Sequence, residues 1–371
     1  MNFGKLEAHL NNMMCEFDVK EYDLIVKQNG KEVFRKMAGF SDAAGTKPIN
    51  ENNLRWIYSM TKVITSITIM RLIEKGLLNL NDLLSKYLPE YNNMTVKSES
   101  GLVPAKNTIR IWHLLSMQSG MDYFLDSQPL KEARKNPKAT TREIVRAMAS
   151  KPLCFEPETD ALYGLSHDVL AAVAEVICGK TWYTILKEEL FSPLGITDIG
   201  FHPSNEQKSR FTQQYCYDEK SNKCLVHNMN NMFCLSDIYE SAGAGLFCKT
   251  EDYSVIIDSL ANGGIAYNGY RVLSQESINK MRENRIKHNG FFIKDGYGYG
   301  LGVRTLVDRN AAKTITGDGE FGWDGAASSY NLIDPENHLS IVFSTHILGT
   351  NLFNSNLSPK TCNLIYELLG I

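Results

Sequence analysis

A serine and a lysine stand three residues apart in YSMTKVITSITIMRLIEKG, a stretch whose apolar residues recur at helical spacing. Ser59 falls at the predicted start of this helix, where a side-chain oxygen often caps backbone N–H groups and the helix dipole favours negative charge. Lys62 lies one turn further on, on the same face. A lysine accepts a serine proton only when burial or nearby positive charge lowers the lysine pKa towards neutrality. The spacing therefore predicts either a serine nucleophile with a lysine partner or a helix cap beside a solvated lysine.

The same spacing recurs at Ser277 and Lys280, in the polar stretch SQESINKMREN. This second lysine has no apolar shelter, so we interpret that copy as a solvated helix surface.

A Ser-His-Asp triad is not indicated. The chain has no G-x-S-x-G elbow, and the adjacent residues Ser166, His167 and Asp168 cannot meet in triad geometry. We interpret His167 as a residue at a helix start.

Motifs for cofactors and metals are not recognised. Glycines alternate at 296, 298, 300 and 302 in DGYGYGLG, which differs from the G-x-G-x-x-G fingerprint of dinucleotide binding. The chain has no H-E-x-x-H motif and no clustered His and Cys ligand set. We therefore expect neither a cofactor nor a metal ion.

Length and charge limit the architecture and the partners. A chain of 371 residues exceeds the size at which one core usually stops growing, about 250–300 residues, so we expect two lobes. Its 42 acidic and 39 basic residues give a net charge of −3, which provides no electrostatic reason to expect nucleic acid or a membrane as partner. Small neutral or mixed substrates remain open, and the oligomeric state is not indicated.

The composition favours a cytoplasmic location. Charged residues interrupt the apolar ones in MNFGKLEAHLNNMMCEF, unlike a signal peptide, and no run of about 18 apolar residues occurs. The eight cysteines include no C-x-x-C pair. Cys216 and Cys224 are spaced so that they could form a bridge, although reduced thiols are the simpler interpretation.

The two ends of the chain are predicted to share one antiparallel sheet. YDLIVKQNGKEVFRKMAGF has two β-compatible runs around Asn29 and Gly30, so we expect the chain to open with antiparallel strands. SSYNLIDPENHLSIVFSTH repeats this form near the other end, and the patterns TIRIWHLLSMQSG, TTREIVRAMAS, HDVLAAVAEVICGK and TWYTILKEELF between them are helical. We predict an α+β fold: a sheet lobe from residues 1–75 and 236–371, and an inserted, mostly helical lobe from 76–235 with an irregular loop at 204–235.

YSMTK, with the apolar helix and GLLNLNDLLSKYLPEY that follow it, resembles the serine β-lactamase and penicillin-binding-protein superfamily. The resemblance is closest to its class C β-lactamase and family VIII carboxylesterase branch. It covers most of the chain, because YGLSHDVLAAVAEVICGKTW, GAGLFCKTEDYSVIIDSLANGG, GYGYGLGV and FGWDGAASSYNLIDPENHLSIVF follow in the order of that family. The resemblance implies a β-lactamase/transpeptidase-like fold and a serine hydrolase that forms an acyl-enzyme on Ser59, with Lys62 in its proton transfer.

The resemblance also implies a catalytic tyrosine. The family's second motif opens on a tyrosine, which matches Tyr163 in YGLSHD, and a phenol there can pass a proton. The asparagine position of this motif is Leu165, so one contact to a substrate amide is missing. Ser166 could replace it as a substrate contact, as in the esterase branch.

The family's third motif, Lys-Thr-Gly or a variant, matches Trp323, Asp324 and Gly325 in FGWDGAAS. The resemblance implies that these residues bind substrate and that the N–H groups of Ala326 and Ser59 form an oxyanion hole. Trp323 fits a packing role equally well. A lysine at this motif would bind a substrate carboxylate, whereas Trp323 offers an apolar surface and Asp324 a repulsive charge.

These departures favour esters over β-lactams, so we expect a serine hydrolase that acts on small acyl esters. One alternative is a β-lactamase or D-amino-acid peptidase, which shares the machinery but needs an anchor for a carboxylate. Another is a non-catalytic binding or scaffold protein on the same fold. The sequence leaves open whether Lys62 or Tyr163 is the general base.

Overall fold

The computed structural model describes residues 2–99, 101–287, 292–350 and 356–371, in which helices and strands are mixed along the chain. The helices are α1 Gly4–Glu16, α2 Thr61–Glu74, α3 Ile111–Leu115, α4 Gln128–Ala133, α5 Thr141–Met148, α6 Ser166–Cys178, α7 Trp182–Leu186, α8 Asn205–Lys208, α9 Thr250–Ala261, α10 Gln275–Arg282, α11 Arg309–Ala312 and α12 Ser358–Leu369. The strands are β1 Glu21–Gln28, β2 Lys31–Gly39, β3 Arg55–Trp56, β4 Thr95–Ser98, β5 Gly101–Pro104, β6 Tyr215–Asp218, β7 Lys223–Val226, β8 Phe247–Cys248, β9 Tyr297–Tyr299, β10 Arg304–Leu306, β11 Phe321–Gly322, β12 Asp324–Gly325, β13 Ser329–Asp334, β14 Leu339–Ser344 and β15 Ile347–Leu348.

Strands from both ends of the chain form one antiparallel sheet, as predicted. Its order is β2-β1-β14-β13-β11-β10-β9, and β12 pairs with β13. Asn29 and Gly30 join β1 to β2 with φ angles of 53° and 72°, which suit a two-residue hairpin turn. The chain ends meet where β1 pairs with β14, with Leu24 opposite Phe343. The predicted antiparallel sheet of an α+β fold is therefore present.

The chain opens with helix α1 and not with strands, so that prediction was wrong. Leu6, Leu10 and Met13 are buried at helical spacing, and α1 packs against α12. The two terminal helices cover one face of the sheet, in a cluster that includes Leu24 and Ile365. The charged residues between the apolar ones, Lys5, Glu7 and Glu16, are exposed or half-buried on the other side of this amphipathic helix.

The other face of the sheet is covered by α9, with α2 and the helical region beyond it. Helix α9 packs on β1, β13 and β14, and α2 packs on α6. Residues 61–72 of α2 are all buried, so most of this helix has no solvent face. A single cluster joins Ile64 of α2 and Val173 of α6 to Val342 of the sheet. The predicted lobe boundaries at residues 75 and 235 stay a prediction.

The segment 204–235 is less irregular than predicted. It contains α8 and the hairpin of β6 and β7, and β6 also pairs in parallel with β15. Tyr215 and Tyr217 are buried on one side of β6, which gives the hairpin a hydrophobic attachment to the core. Residues opposite each other share a face, and Cys224 lies opposite Tyr217 rather than Cys216, so the two thiols point to different sides. All eight cysteines are free.

No single helix among the described residues is long and apolar enough to cross a membrane. Helix α6 and the helical segment 182–191 pass such a test only when they are taken together, across a bend of 78°.

A buried ion pair links β1 to β3, and we predict that breaking it is costly. Arg55 donates to Glu21 through Nε at 3.0 Å and also through Nη2, and their side chains are 3% and 2% exposed. Glu21→Ala leaves a buried guanidinium unpaired, which should lower the free energy of unfolding by about 3–5 kcal/mol in urea denaturation. Lys280→Ala, which breaks the exposed pair with Glu276, is the control and should change it by less than about 1 kcal/mol. Equal losses in the two variants would contradict this assignment.

Candidate active site

Ser59 lies in a short 3₁₀ turn, Tyr58–Met60, that runs directly into α2. Its side chain caps neither helix. Lys62, in the first turn of α2, instead donates a hydrogen bond to Ser59 Oγ at 3.2 Å. The predicted proximity of the two side chains is therefore present, and the interpretation of Ser59 as a simple helix cap is not supported.

Lys62 is completely buried, at 0% exposure. Its amine donates to Gly243 O at 2.7 Å and to Tyr123 OH at 2.8 Å, in addition to Ser59. Three acceptors match the three N–H donors of an ammonium group. Burial lowers the pKa of Lys62 to about 7, and the carboxyl of Asp168 partly opposes this shift. A large fraction of the amine is therefore neutral at physiological pH and able to accept a proton.

Tyr163 lies in the loop before α6, and its ring is 4.6 Å from the Lys62 amine. Its hydroxyl interacts with Ser59 and accepts a hydrogen bond from Trp323 Nε1 at 2.8 Å. Burial raises the pKa of Tyr163, while the bonds from Ser59 and Trp323 act in the opposite direction. The phenol is therefore protonated at neutral pH. The Trp323 N–H would stabilise the phenol oxygen if that proton left. Trp323 is itself buried and serves this contact as well as packing.

Sequence analysis did not identify Tyr123, which lies in the loop after α3. Its hydroxyl accepts from Lys62, and its ring packs against Tyr163 with centroids 5.3 Å apart. The Tyr123 phenol also interacts with the Ser59 hydroxyl, and burial raises its pKa. No fixed spacing connects Tyr123 to Ser59 in the sequence, so only the folded chain brings them together.

Gly325 and Ala326 lie beside the serine turn. A Cβ at Gly325 would come within 2.4 Å of Ile57 O, so only glycine permits this approach of β12 to the turn. Ala326 follows at the exposed rim, and it lines the same cleft as Ser59. This arrangement suits the predicted oxyanion hole, which stays a prediction.

The cleft beside Ser59 has a volume of about 540 Å³. This volume is large enough for a substrate of drug-like size. Its walls are mixed, with aromatic and aliphatic side chains next to two cations and two carboxylates. The lining side chains other than those already named are Phe292, Ile293, Lys294, Asp295, Tyr297, Arg304, Ala312, Asp324, Tyr330 and Pro359.

Asp324 is held by Arg304 and does not face the cleft as an isolated charge. Arg304 Nη1 donates to Asp324 Oδ1 at 3.0 Å, and Nη2 donates to Asn331 O at 2.8 Å. The guanidinium also lies 4.2 Å from the ring centre of Tyr330. Burial raises the pKa of Asp324, and Arg304 opposes that shift. The repulsive charge predicted at Asp324 is therefore largely compensated by a cation that sequence analysis did not identify.

Ser166 does not reach the cleft, so its predicted substrate contact does not fit the structure. Its hydroxyl is fully buried and shares a hydrogen bond of 2.8 Å with Ser119 Oγ. The first turn of α6 packs inward, which points Ser166 into the core. His167 is likewise buried, 3.2 Å from Ser66 Oγ, and takes no part in a triad.

The second S-x-x-K copy has no such environment. Lys280 is paired with Glu276 on the exposed face of α10, as predicted. Ser277 is buried, and its backbone N–H donates to Ser274 Oγ. The burial of Lys62 therefore distinguishes the two copies.

We predict that the reaction of Ser59 with a fluorophosphonate depends on pH through Lys62. If the neutral Lys62 amine accepts the Ser59 proton, the rate should rise as pH increases through about 7 and level off above it. The rate is measured by quenching the labelling reaction at fixed times and determining the labelled fraction by mass spectrometry. Lys62→Met should remove the rise and slow the labelling, whereas the control Lys280→Met should keep both rate and profile. A flat profile in the unaltered protein would contradict the prediction.

The chain is similar to known proteins over most of its length. A family model described as Beta-lactamase matches residues 22–357. Protein Rv1367c of Mycobacterium tuberculosis (strain ATCC 25618 / H37Rv) is 29% identical over 324 residues, which cover 82% of this chain and 80% of that protein. Esterase EstB of Burkholderia gladioli is 25% identical over 368 residues, which cover 92% and 90% of the two chains.

The solved structures show the same fold. EstCE1, described as a hydrolase with promiscuous acyltransferase activity, superimposes with a TM-score of 0.84 at 21% identity, over 98% of this chain and 97% of that one. The family model spans nearly the whole described chain and includes Ser59, Lys62, Tyr163 and Trp323. The chain therefore belongs to the beta-lactamase family and is a serine hydrolase of the superfamily that also includes the penicillin-binding proteins.

Proposed function

We propose that this protein is an esterase that cleaves small acyl esters through an acyl-enzyme on Ser59. The observation that supports this most strongly is the Lys62 amine, which is fully buried and lies 3.2 Å from Ser59 Oγ. An amine in this position, with a pKa lowered by burial to about 7, can activate the serine. The name of the relative EstB, an esterase, agrees with this reaction class.

In the proposed acylation step, neutral Lys62 takes the proton of Ser59 as the oxygen attacks the acyl carbonyl. The N–H groups of Ser59 and Ala326 would hold the developing oxyanion. When the ester bond breaks, Tyr163 gives its proton to the leaving alkoxide and receives one from the Lys62 ammonium. The Trp323 N–H stabilises the phenol oxygen during this transfer. We assign Lys62 as the base because its pKa is lowered, whereas the pKa of Tyr163 is raised.

In the proposed deacylation step, water attacks the acyl-enzyme. Neutral Lys62 accepts the water proton, and that proton passes to Ser59 Oγ as the bond between Oγ and the acyl carbon breaks and the carboxylic acid leaves. The net reaction consumes one ester and one water and produces one acid and one alcohol. Every proton that moves is held by a group within the Ser59, Lys62 and Tyr163 cluster.

The cleft favours esters over β-lactams or D-peptides. Arg304 and Lys294 are the two cations that line the cleft. Asp324 and Asn331 O already accept from Nη1 and Nη2 of Arg304, and the Asp324 carboxyl also opposes the lowering of the Lys294 pKa by burial. A substrate carboxylate would have to compete with Asp324 for the guanidinium.

We also propose a cytoplasmic location for this protein. The cysteines are all free, which fits a reducing compartment.

Hydrolysis and labelling test the proposal directly. The protein should hydrolyse p-nitrophenyl butyrate, and a fluorophosphonate should add to the peptide that contains Ser59. Ser59→Ala should abolish both, and Lys62→Ala and Tyr163→Phe should each lower kcat by about 10²–10⁴-fold, the usual contribution of a positioned proton-transfer group. Tyr91→Phe is a matched control, because this buried tyrosine donates to Val145 O away from the cleft. Labelling at another residue, or no turnover of any ester, would reject the proposal.

Asp324 should control selectivity against anionic substrates. Asp324→Asn removes the carboxylate that competes for Arg304, and a charge-assisted hydrogen bond to a substrate is worth about 1.5–3 kcal/mol. We therefore expect kcat/KM for mono-p-nitrophenyl glutarate, relative to neutral p-nitrophenyl valerate, to rise by about tenfold or more. Asp324→Asn combined with Arg304→Met should lose this gain. An unchanged ratio in the single variant would show that Arg304 is not within reach of the acyl group.

A further inference from the structure

Tyr58, the residue immediately before Ser59, has a strained backbone. Its φ angle is 45°, in the left-handed region that a bulky side chain rarely adopts. Such a conformation persists only where the surroundings hold it. The Tyr58 side chain is fully buried, so the groups that hold it are inside the protein.

Gln214 holds the Tyr58 side chain. Tyr58 OH donates to Gln214 Oε1 at 2.7 Å. The nitrogen of the same side-chain amide is also bonded: Gln214 Nε2 donates to Asn228 O at 2.6 Å. Gln214 is completely buried, and its backbone N–H donates to Met229 Sδ. The orientation of the amide is therefore fixed, and its oxygen can only face Tyr58.

The same part of the chain binds the residues that precede Tyr58. The backbone of Leu54 exchanges hydrogen bonds with Arg210 and Thr212, each at 3.0 Å. Trp56 Nε1 donates to Met229 O at 3.0 Å, and its ring packs against Phe211. Leu54, Trp56 and Tyr58 are thus each tied to the segment 210–229.

The second donor of the proposed oxyanion hole depends on the same cluster. Ala327, the residue after Ala326, is buried together with Trp56, Tyr58 and Phe247. Its carbonyl accepts from Ile347 N at 3.1 Å. The residues next to both proposed oxyanion donors, Tyr58 and Ala327, therefore share one packed core, so a shift of Tyr58 changes the separation of the two N–H groups.

We propose that the segment 210–229 is a clamp that holds Ser59 in its reactive position, with Tyr58 and Gln214 as the positioning residues. This inference rests on the proposed function. Without the clamp, the Tyr58 backbone relaxes, and both Ser59 Oγ and the Ser59 N–H move relative to Lys62 and Ala326. Substrate binding in the cleft does not use the clamp, so its loss acts on kcat and leaves KM nearly unchanged.

A double-mutant cycle tests the clamp. Tyr58→Phe removes only the hydroxyl, Gln214→Met removes the amide at similar volume, and the third variant combines them. Each single variant should lower kcat for p-nitrophenyl butyrate by about tenfold, with KM changed by less than about twofold, as expected when a transition-state interaction alone is lost. The double variant should lose no more than a single one, because the two changes break the same hydrogen bond.

Fluorophosphonate titration counts the competent sites, so kcat is expressed per active site and not per folded molecule. Tyr91→Phe loses a comparable buried hydrogen bond and should lower Tm while leaving kcat per site unchanged. Unchanged kcat per site in Tyr58→Phe and Gln214→Met, or fully additive losses in the double variant, would overturn the clamp while the esterase stands. An unaltered protein without ester turnover would reject the proposed function, and the clamp with it.

Discussion

The burial of one amine is the constraint on which the rest of the site depends. Helix α2 packs against α6 and α10, and its residues 61–72 are all buried, so Lys62 is shielded from solvent. Its N–H donors are satisfied inside the protein, and the contact with Gly243 O requires glycine there. A Cβ at Gly243 would lie 2.7 Å from Asp168 Oδ2 and 3.6 Å from Lys62 Nζ. The fold thus lowers the pKa of Lys62 by desolvation and keeps one carboxyl close enough to limit the shift.

The groups around Ser59 come from separate parts of the chain. Tyr123 and Tyr163 come from loops next to α3 and α6, whereas Trp323 lies between β11 and β12 and Gly325 lies in β12. The hydrogen bond from Trp323 to Tyr163 OH connects these parts directly at the reactive centre. The cleft opens along this junction, which explains why its walls combine side chains of very different character. A change in the packing of either part would alter the distances on which proton transfer depends.

The fold is shared with a protein of low sequence identity. The chain superimposes on EstCE1 with a TM-score of 0.84 although only 21% of aligned residues are identical. The serine turn is buried and tightly packed, so its geometry tolerates little change. The charged pair of Arg304 and Asp324 lines the cleft, and Arg304 also contacts Asn331 O and the Tyr330 ring, so a substitution of Arg304 alters local packing as well as ligand contacts.

The sequence by itself predicted that Ser59 and Lys62 lie together, and it predicted four of the eight strands of the sheet, β1, β2, β13 and β14. Both predictions rest on local patterns. Residues three apart on a helix lie on the same face, as Ser59 and Lys62 do, and the Asn29-Gly30 dipeptide favours a two-residue hairpin turn. Motif order along the chain indicated the family, and with it Tyr163 and Trp323. Helix α1 was missed because its charged residues obscured the spacing of Leu6, Leu10 and Met13.

Only the tertiary structure decided which groups meet. Tyr123, Arg304 and Gln214 reach Lys62, Asp324 and Tyr58 across 61, 20 and 156 positions of sequence, and no local pattern encodes such contacts. It also placed Ser166 in the core, because the side of α6 that faces inward depends on the packing of the whole helix. Above all, burial of the Lys62 amine is a property of everything that surrounds α2. Desolvation sums over distant neighbours, and a sequence motif specifies only near ones.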